Sequence, residues 1–311
     1  MFKDRFGALT NRRALFRRGA MVSGAAAAGV GLAPYRALAA DSVDDSLLKR
    51  VLDRGKVIVG TGATNPPWHF EDDNGKAIGM DIDMAKLLAA GLFGLQVVDK
   101  QAMLQDDSPI LPHIEFVIQD PNARIPNLLT DKVDINFQFM TVKTDRATQC
   151  EFTIPYYREA WTLLMPKDGP YNNVADLQGH GVTISVLQNA GAEQDTLKVV
   201  PDATVVQLAT IADAIAAVDA GRADAAGVDL SSGKWFAANA PDKYKFTPES
   251  FNPNTYAASV KQGDQIWLNF VNTMIHEALI GLDFPVYQQM FKKWFGEDLP
   301  SPISGFPAEY K

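Results

Sequence analysis

Short apolar runs bounded by glycines or turn residues alternate along this chain with longer stretches in which apolar positions recur every three to four residues. "GKVIVGTG" (55–62) is the first short run. Its β-branched centre between glycines predicts a buried strand. "ATNPPWHFEDDNGK" follows as a loop, punctuated by its prolines and by Asn74-Gly75. "IDMAKLLAAGLFG" (82–94) predicts an amphipathic helix closed by Gly94. "HIEFVIQD" reads as a second strand, "ARIPNLLTDK" as a short helix and "VDINFQF" as a third strand. From residue 181 the theme repeats: "GVTISVLQ" and "ATVVQLA" as strands, "TIADAIAAVDAGR" as a helix, "ADAAGVD" as a strand. Two helices, "IWLNFVNTMIHEALIGL" and "PVYQQMFKKWFG", close the pattern. The segment 95–111 has no clear period and is expected to be a loop insertion.

Strands alternating with helices imply βαβ units and mostly parallel sheets. Two sets are present, near 54–160 and 175–240. In open α/β sheets, ligands bind beyond the carboxyl ends of the strands. Those ends are the loop 62–70, the segment Gln138 to Arg146, the turn Gln188 to Gln194, and Asp229.

Composition narrows the class. At 311 residues, 47% apolar and 21% charged, the chain suits a folded protein of two domains. Its one cysteine, Cys150, excludes an intramolecular disulfide and any CxxC site, and its four histidines lack metal-ligand spacing. No cofactor or metal is expected. Residues 1–39 read as an export signal: Arg12-Arg13 with further bases, a soft Ala/Gly-rich run, and Ala37-Leu38-Ala39 as an A-x-A cleavage pattern before Ala40. The paired arginines resemble a twin-arginine signal; the general secretory route stays open. Those residues hold seven Lys/Arg and one Asp, so the remainder carries 22 basic against 36 acidic residues, a net −14. That balance argues against nucleic acid and anionic membrane surfaces. A soluble, exported, periplasmic monomer is expected.

Five segments carry a family resemblance. They are "GKVIVGTGATNPPWHFEDDNGKAIGMDIDMAKLLA", "RIPNLLTDKVDINFQFMTVKTDRATQCEFTIPYY", "VADLQGHGVTISVLQNAG", "AVDAGRADAAGVD" and "KKWFG". Together and in this order they resemble the bacterial extracellular solute-binding proteins of the amino-acid type (family 3), the periplasmic receptors of polar amino acid ABC transporters. The resemblance implies an α/β, two-lobe periplasmic-binding-protein fold of type II. Each lobe would be a mostly parallel sheet flanked by helices, and two crossover hinge strands would join them near Trp161 to Met165 and Thr255 to Val260. Lobe 1 would be 40–160 plus 258–311, and lobe 2 would be 161–257. The implied partners are a small amino acid ligand and an inner-membrane ABC permease.

A free amino acid is a zwitterion, so a water-excluding cleft must supply a cation and an anion at fixed separation. By resemblance, Arg146 forks onto the α-carboxylate and Asp229 takes the α-ammonium. Thr141 adds a hydroxyl, and backbone amides at Ala190 and Gly191 bind the carboxylate from the other lobe. Trp68 and Asn65 line the side-chain pocket, and Gln138, Phe139 and Met140 complete that wall. Each has a plainer reading. Arg146 could be a solvated surface arginine, Asp229 a helix N-cap before "LSSGKWF", Trp68 core, and Thr141 an ordinary strand end. Asp81 and Asp83 read as cap and dipole residues at a helix start.

The chain departs from the family at Asn65, where many relatives carry an aromatic. It departs again at Gln138 and Phe139, where small hydroxyl residues are usual, and at Asn189-Ala190-Gly191. Gly62 stands where basic-amino-acid receptors carry an acid. No arginine beyond Arg146 is apparent for an acidic side chain, with Arg124 left open, so a neutral amino acid is the expected ligand. A binding protein rather than an enzyme is expected. A dehydratase-like enzyme on the same fold, with His69 or Glu193 as acid or base, and a ligand-sensing receptor subunit are the alternatives.

Overall fold

The computed structural model describes residues 42–94, 100–188 and 191–301. The export segment, Ala190 and the tail from 302 lie outside the described residues. The N-terminal set runs α1 (Leu47–Arg54), β1 (Val57–Thr61), a small β2 (Thr64–Asn65), β3 (His69–Glu71), β4 (Ala77–Ile78) meander, and α2 (Met80–Phe93). It continues through β5 (Ile114–Ile118), α3 (Arg124–Leu129), β6 (Ile135–Thr141), α4 (Thr144–Ala147) and β7 (Glu151–Phe152). The long β8 (Tyr157–Pro166) leads to the second set: α5 (Val174–Leu177), β9 (Thr183–Leu187), α6 (Ala192–Val199), β10 (Thr204–Leu208), α7 (Ile211–Asp219), β11 (Ala225–Asp229), α8 (Leu230–Asn239) and β12 (Tyr244–Phe246). A second long strand, β13 (Phe251–Val260), returns to the first set, and α9 (Gln265–Ile280) and α10 (Phe284–Phe295) follow.

Among the described residues ten of these strands form one sheet, ordered β10-β9-β11-β8-β13-β6-β1-β5, with β12 on β8 and β7 on β13, and β2-β3-β4 form a separate small one. Within each set the pairing is parallel: β1 with β5 and β6, and β9 with β10 and β11. The two long strands are antiparallel to both sets and to each other. They are where the chain passes between the two halves, which is the α/β, two-lobe type II arrangement. The ends of β6 and β11, the edges at which parallel sheets present ligand sites, therefore face each other across β8 and β13.

Helix α2 differs from the amphipathic expectation. Every residue from Met80 to Ala90 is buried, including Asp81, Asp83 and Lys86. It is sandwiched between the sheet and α9 and α10. A helix covered on all sides needs no polar face, but its charges must then be paired. Lys86 Nζ sits 3.0 Å from Asp83 and 2.9 Å from Asp107. Asp83 also accepts from Trp294 Nε1 at 2.7 Å and Lys293 at 3.1 Å. Asp81 accepts from the Tyr156 hydroxyl (2.6 Å), the Phe139 amide (2.9 Å) and His69 Nδ1 (2.8 Å). Both aspartates are thus tertiary anchors rather than the surface cap residues that their position suggested. The described part of the insertion, 100–111, packs on this helix through buried Met103 and Ile110 and through Asp107.

Candidate functional site

A cavity of about 430 Å³ opens between the ends of β6 and β11, roofed by β8 and β13. From the first half its wall takes Arg124, Phe139, Thr141, Lys143 and Arg146; from the second, Trp161, Asp195, Lys198, Gly227 and Asp229; and from β13, Asn252, Asn254 and Tyr256.

The cationic side is built on one strand end. After β6 stops at Thr141, the one-turn α4 folds Arg146 back so that its Nη1 donates to the Thr141 carbonyl at 2.9 Å. Arg124, at the start of α3, donates from Nε to the Pro121 carbonyl (2.8 Å) and from Nη1 to the Gln138 carbonyl (2.9 Å). Its guanidinium lies 5.9 Å from the centre of the Phe139 ring. Burial, and the charge of Arg146, push Arg124 down to about 10; burial also lowers Arg146. Neither guanidinium has a carboxylate within ion-pair distance among the described residues.

The floor between them is Phe139, held at φ +33. An aromatic residue in that region is strained by about 1–3 kcal/mol and persists only when its surroundings fix it. Two contacts do so: its amide donates to Asp81, and its ring stacks on His69 with centroids 4.6 Å apart and planes 6° apart. Buried His69 has its pKa lowered by desolvation. Its neutral ring bridges Asp81 through Nδ1 and Asn65 through Nε2 at 3.1 Å. A Cβ at Gly62 would stand 2.5 Å from the His69 ring, so the histidine fills the space that a side chain at 62 would need.

The anionic side is Asp229, at the N-cap position of α8 yet making no side-chain cap bond. The Tyr256 hydroxyl and the Trp161 indole lie near it and favour its charged form. Burial raises it to about 6. Behind it, Glu159 is 3% exposed and raised to about 8 by burial and by the charge of Asp229. At the mouth, Asp195 pairs with Lys198 (2.8 Å) and stands 3.9 Å from Lys143 of the opposite half. Asn252 Nδ2 and Asn254 Oδ1, on the wall, have no protein partner.

The structure therefore brings Arg146, Thr141, Phe139 and Asp229 to one cavity, and places the other expected site residues elsewhere. Trp68 is fully buried among Tyr156, Tyr157, Tyr256 and Phe295, and its indole donates to Ser231 Oγ at 2.8 Å. Asn65 is buried against His69. Gln138 is locked in an amide network with Gln119, and Met140 packs with Leu128, Val133 and Cys150. Gly191 sits at the mouth, where a Cβ would come within 3.6 Å of Lys143 Nζ, and Ala190 lies outside the described residues. The pocket wall that the resemblance assigns to Trp68 and Asn65 is packed shut, because the 66–68 turn is pinned to α8 by Trp68–Ser231 and by Ser232 Oγ on the Pro66 carbonyl (3.1 Å). Lys143, Lys198, Trp161 and the two asparagines were not anticipated, since scattered lysines and an Asn-Pro-Asn stretch carry no local signal of a shared cavity.

Residues 57–297 match the family model for bacterial extracellular solute-binding proteins, family 3. The chain belongs to this family. This solute-binding protein is 28% identical over 240 residues to the glutamine-binding protein of Geobacillus stearothermophilus, covering 75% of this chain and 83% of the relative. It is 24% identical over 261 residues to the L-cystine-binding protein of Escherichia coli K12, covering 82% and 88%. Among solved structures, an ancestral amino acid-binding protein described as a precursor of cyclohexadienyl dehydratase superposes with a TM-score of 0.68 at 28% identity, over 80% of this chain and all of that one. Among the described residues no helix is long and apolar enough to cross a membrane.

Proposed function

We propose that this protein is a periplasmic receptor that captures a zwitterionic amino acid between its two lobes (40–160 with 258–311, and 161–257) and hands it to an ABC permease. The observation that carries the reading is the pairing of Arg146 and Asp229 on opposite walls of one cavity. A guanidinium there forks onto an α-carboxylate, and the Asp229 carboxylate, with no ion-pair partner among the described residues, takes the ammonium. Thr141 on the wall offers its hydroxyl beside the arginine. The amino-acid-binding relatives support the ligand class, and closure about β8 and β13 would exclude water and strengthen both contacts.

The two side chains suggested for catalysis are off the cavity. His69 is fully buried behind Phe139, and Glu193 is exposed on α6. One observation favours a catalytic second reading: Asp229, raised toward neutrality on the cavity wall, has the character of a general acid. Calorimetry against the twenty common amino acids, followed by mass analysis of the recovered ligand, separates the two. Saturable binding with the ligand returned intact is the expected result. Conversion of the ligand would install the enzyme reading, and no binding by any amino acid would overturn the receptor.

A further inference from the structure

The cavity holds more positive charge than a neutral amino acid can satisfy. Elsewhere the protein pairs the cations it buries: Lys86 lies between Asp83 and Asp107 at 3.0 and 2.9 Å. Arg124 is 5% exposed and Arg146 half-buried, yet among the described residues their hydrogen bonds go to backbone carbonyls, with the Phe139 ring 5.9 Å from Arg124, and neither has a carboxylate partner. Those of Gln138 and Thr141 are three residues apart at the end of β6, so the strand presents two guanidiniums side by side. Arg124 spends Nε and Nη1 on carbonyls, its Nη2 makes no hydrogen bond among the described residues, and the residue lines the cavity. A buried, unpaired guanidinium is costly unless an anion arrives to meet it.

We propose that the ligand is an amino acid with a carboxylate side chain, its α-carboxylate on Arg146, its side-chain carboxylate on Arg124 and its ammonium on Asp229. The inference rests on the receptor reading and deepens it. Charge decides the assignment. Four lining cations, Arg124, Lys143, Arg146 and Lys198, stand against two lining carboxylates, Asp195 and Asp229. Asp195 is spent on Lys198 and Lys143 at the mouth, so the two guanidiniums face Asp229 alone, and an acidic amino acid at −1 reduces that excess. A neutral amino acid would leave Arg124 unpaired in a closed cleft, and a diacid without an amine would leave Asp229 unpaired. The space that an acidic residue at 62 would need is occupied by His69, and Asp81, whose charge is felt at Arg124, is already engaged by His69, the Phe139 amide and Tyr156 and makes no ion pair with it. The neutral ligand expected from the sequence is replaced by its acidic counterpart, because the Arg124 side chain is turned into the cavity rather than out to solvent.

Titration calorimetry of the full mature protein with L-glutamate, L-aspartate, L-glutamine and glutarate tests this. An acidic amino acid should bind about 10- to 100-fold more tightly than glutamine, the range for satisfying or orphaning one buried charged group. Arg124→Gln should collapse that ratio to within a few-fold, with a melting temperature that shows the variant folded. If the variant does not fold, the wild-type ratio alone decides. Glutamine binding as tightly as glutamate would leave the receptor standing and overturn this assignment. Glutarate binding as tightly as glutamate would overturn the amino-acid part of it. Silence with every amino acid would bring down the receptor reading, and this inference with it.

Discussion

Glu159 shows how much of this site's chemistry is set one layer behind the cavity. Its Oε2 receives the Ser231 hydroxyl at 2.5 Å, and Ser231 Oγ in turn receives the Trp68 indole at 2.8 Å. The carboxyl is buried and faces the charge of Asp229, which raises it from 4.5 to about 8. A raised carboxyl favours the folded state below its unfolded value and loses that contribution as pH climbs through its folded value. Glu159→Gln, which cannot ionise, should therefore gain on the wild type as pH rises from about 4.5 to about 8. Ligand-free melting temperatures across that window check it, and a gap that ignores pH would remove Glu159 as the cause. At the other wall, Arg146→Ala should cost about 2 kcal/mol of ligand affinity, and Arg146→Lys a large part of that, since a point charge cannot replace the fork. Calorimetry with any bound amino acid measures both. Arg146 and Asp229 stood out in the sequence because each lies in a segment that carries the family resemblance, Asp229 at the end of a predicted strand and Arg146 a few residues beyond one. Glu159 was not, because only the fold shows that it lies behind Asp229.

The elements were largely readable, and the exceptions share one cause. Strands β1, β5, β6, β9, β10 and β11 fall on the short apolar runs, and α2 ends at Gly94, which adopts φ +49 as a left-handed cap. Burial on every side of α2 was hidden, because Asp81, Asp83 and Lys86 mimic a polar face while being satisfied internally. The loop 62–71 misled in the opposite way. Its aromatic and asparagine suggest a ligand wall, yet Trp68 is held by Ser231, the Pro66 carbonyl by Ser232, and Asn65 by His69. Two glycines test this packing with opposite signs. In Gly62→Ala the new Cβ would meet the His69 ring at 2.5 Å, and that ring is fixed by Asp81 and Phe139. A loss of about 1–3 kcal/mol is expected from the overlap. In Gly91→Ala, inside α2, the nearest atom is Phe270 Cζ at 3.9 Å, an ordinary contact. Relief of the glycine's helical entropy cost should add about 0.5–1 kcal/mol. Urea midpoints measure both, and equal shifts for the pair would refute the packing described for the loop.

The whole molecule has two sets of strands but one continuous sheet, and that continuity shapes how it should melt. Strands β8 and β13 pair with each other and with both halves. The Trp68–Ser231–Glu159 chain and the Ser232–Pro66 bond tie the first-half loop to α8 without using the cavity. The described residues cluster as a single compact unit. If the proposed closure on a ligand takes place, these ties would be its pivot, while the mouth, where Lys143 and Asp195 are 3.9 Å apart, is bridged by half-buried, weakly coupled charges. Both halves should then unfold together in one thermal transition, and a ligand gripping both walls should raise that transition as a whole. At a ligand concentration one hundred times its dissociation constant, the gain by mass action is about 2.7 kcal/mol. For a domain of this size, roughly 2–4 °C accompanies each kcal/mol, so the midpoint should move by about 5–10 °C. Calorimetric scans with and without ligand read this directly. Two resolved transitions, of which ligand moves only one, would show that the halves are energetically independent and that the ligand is held by a single wall.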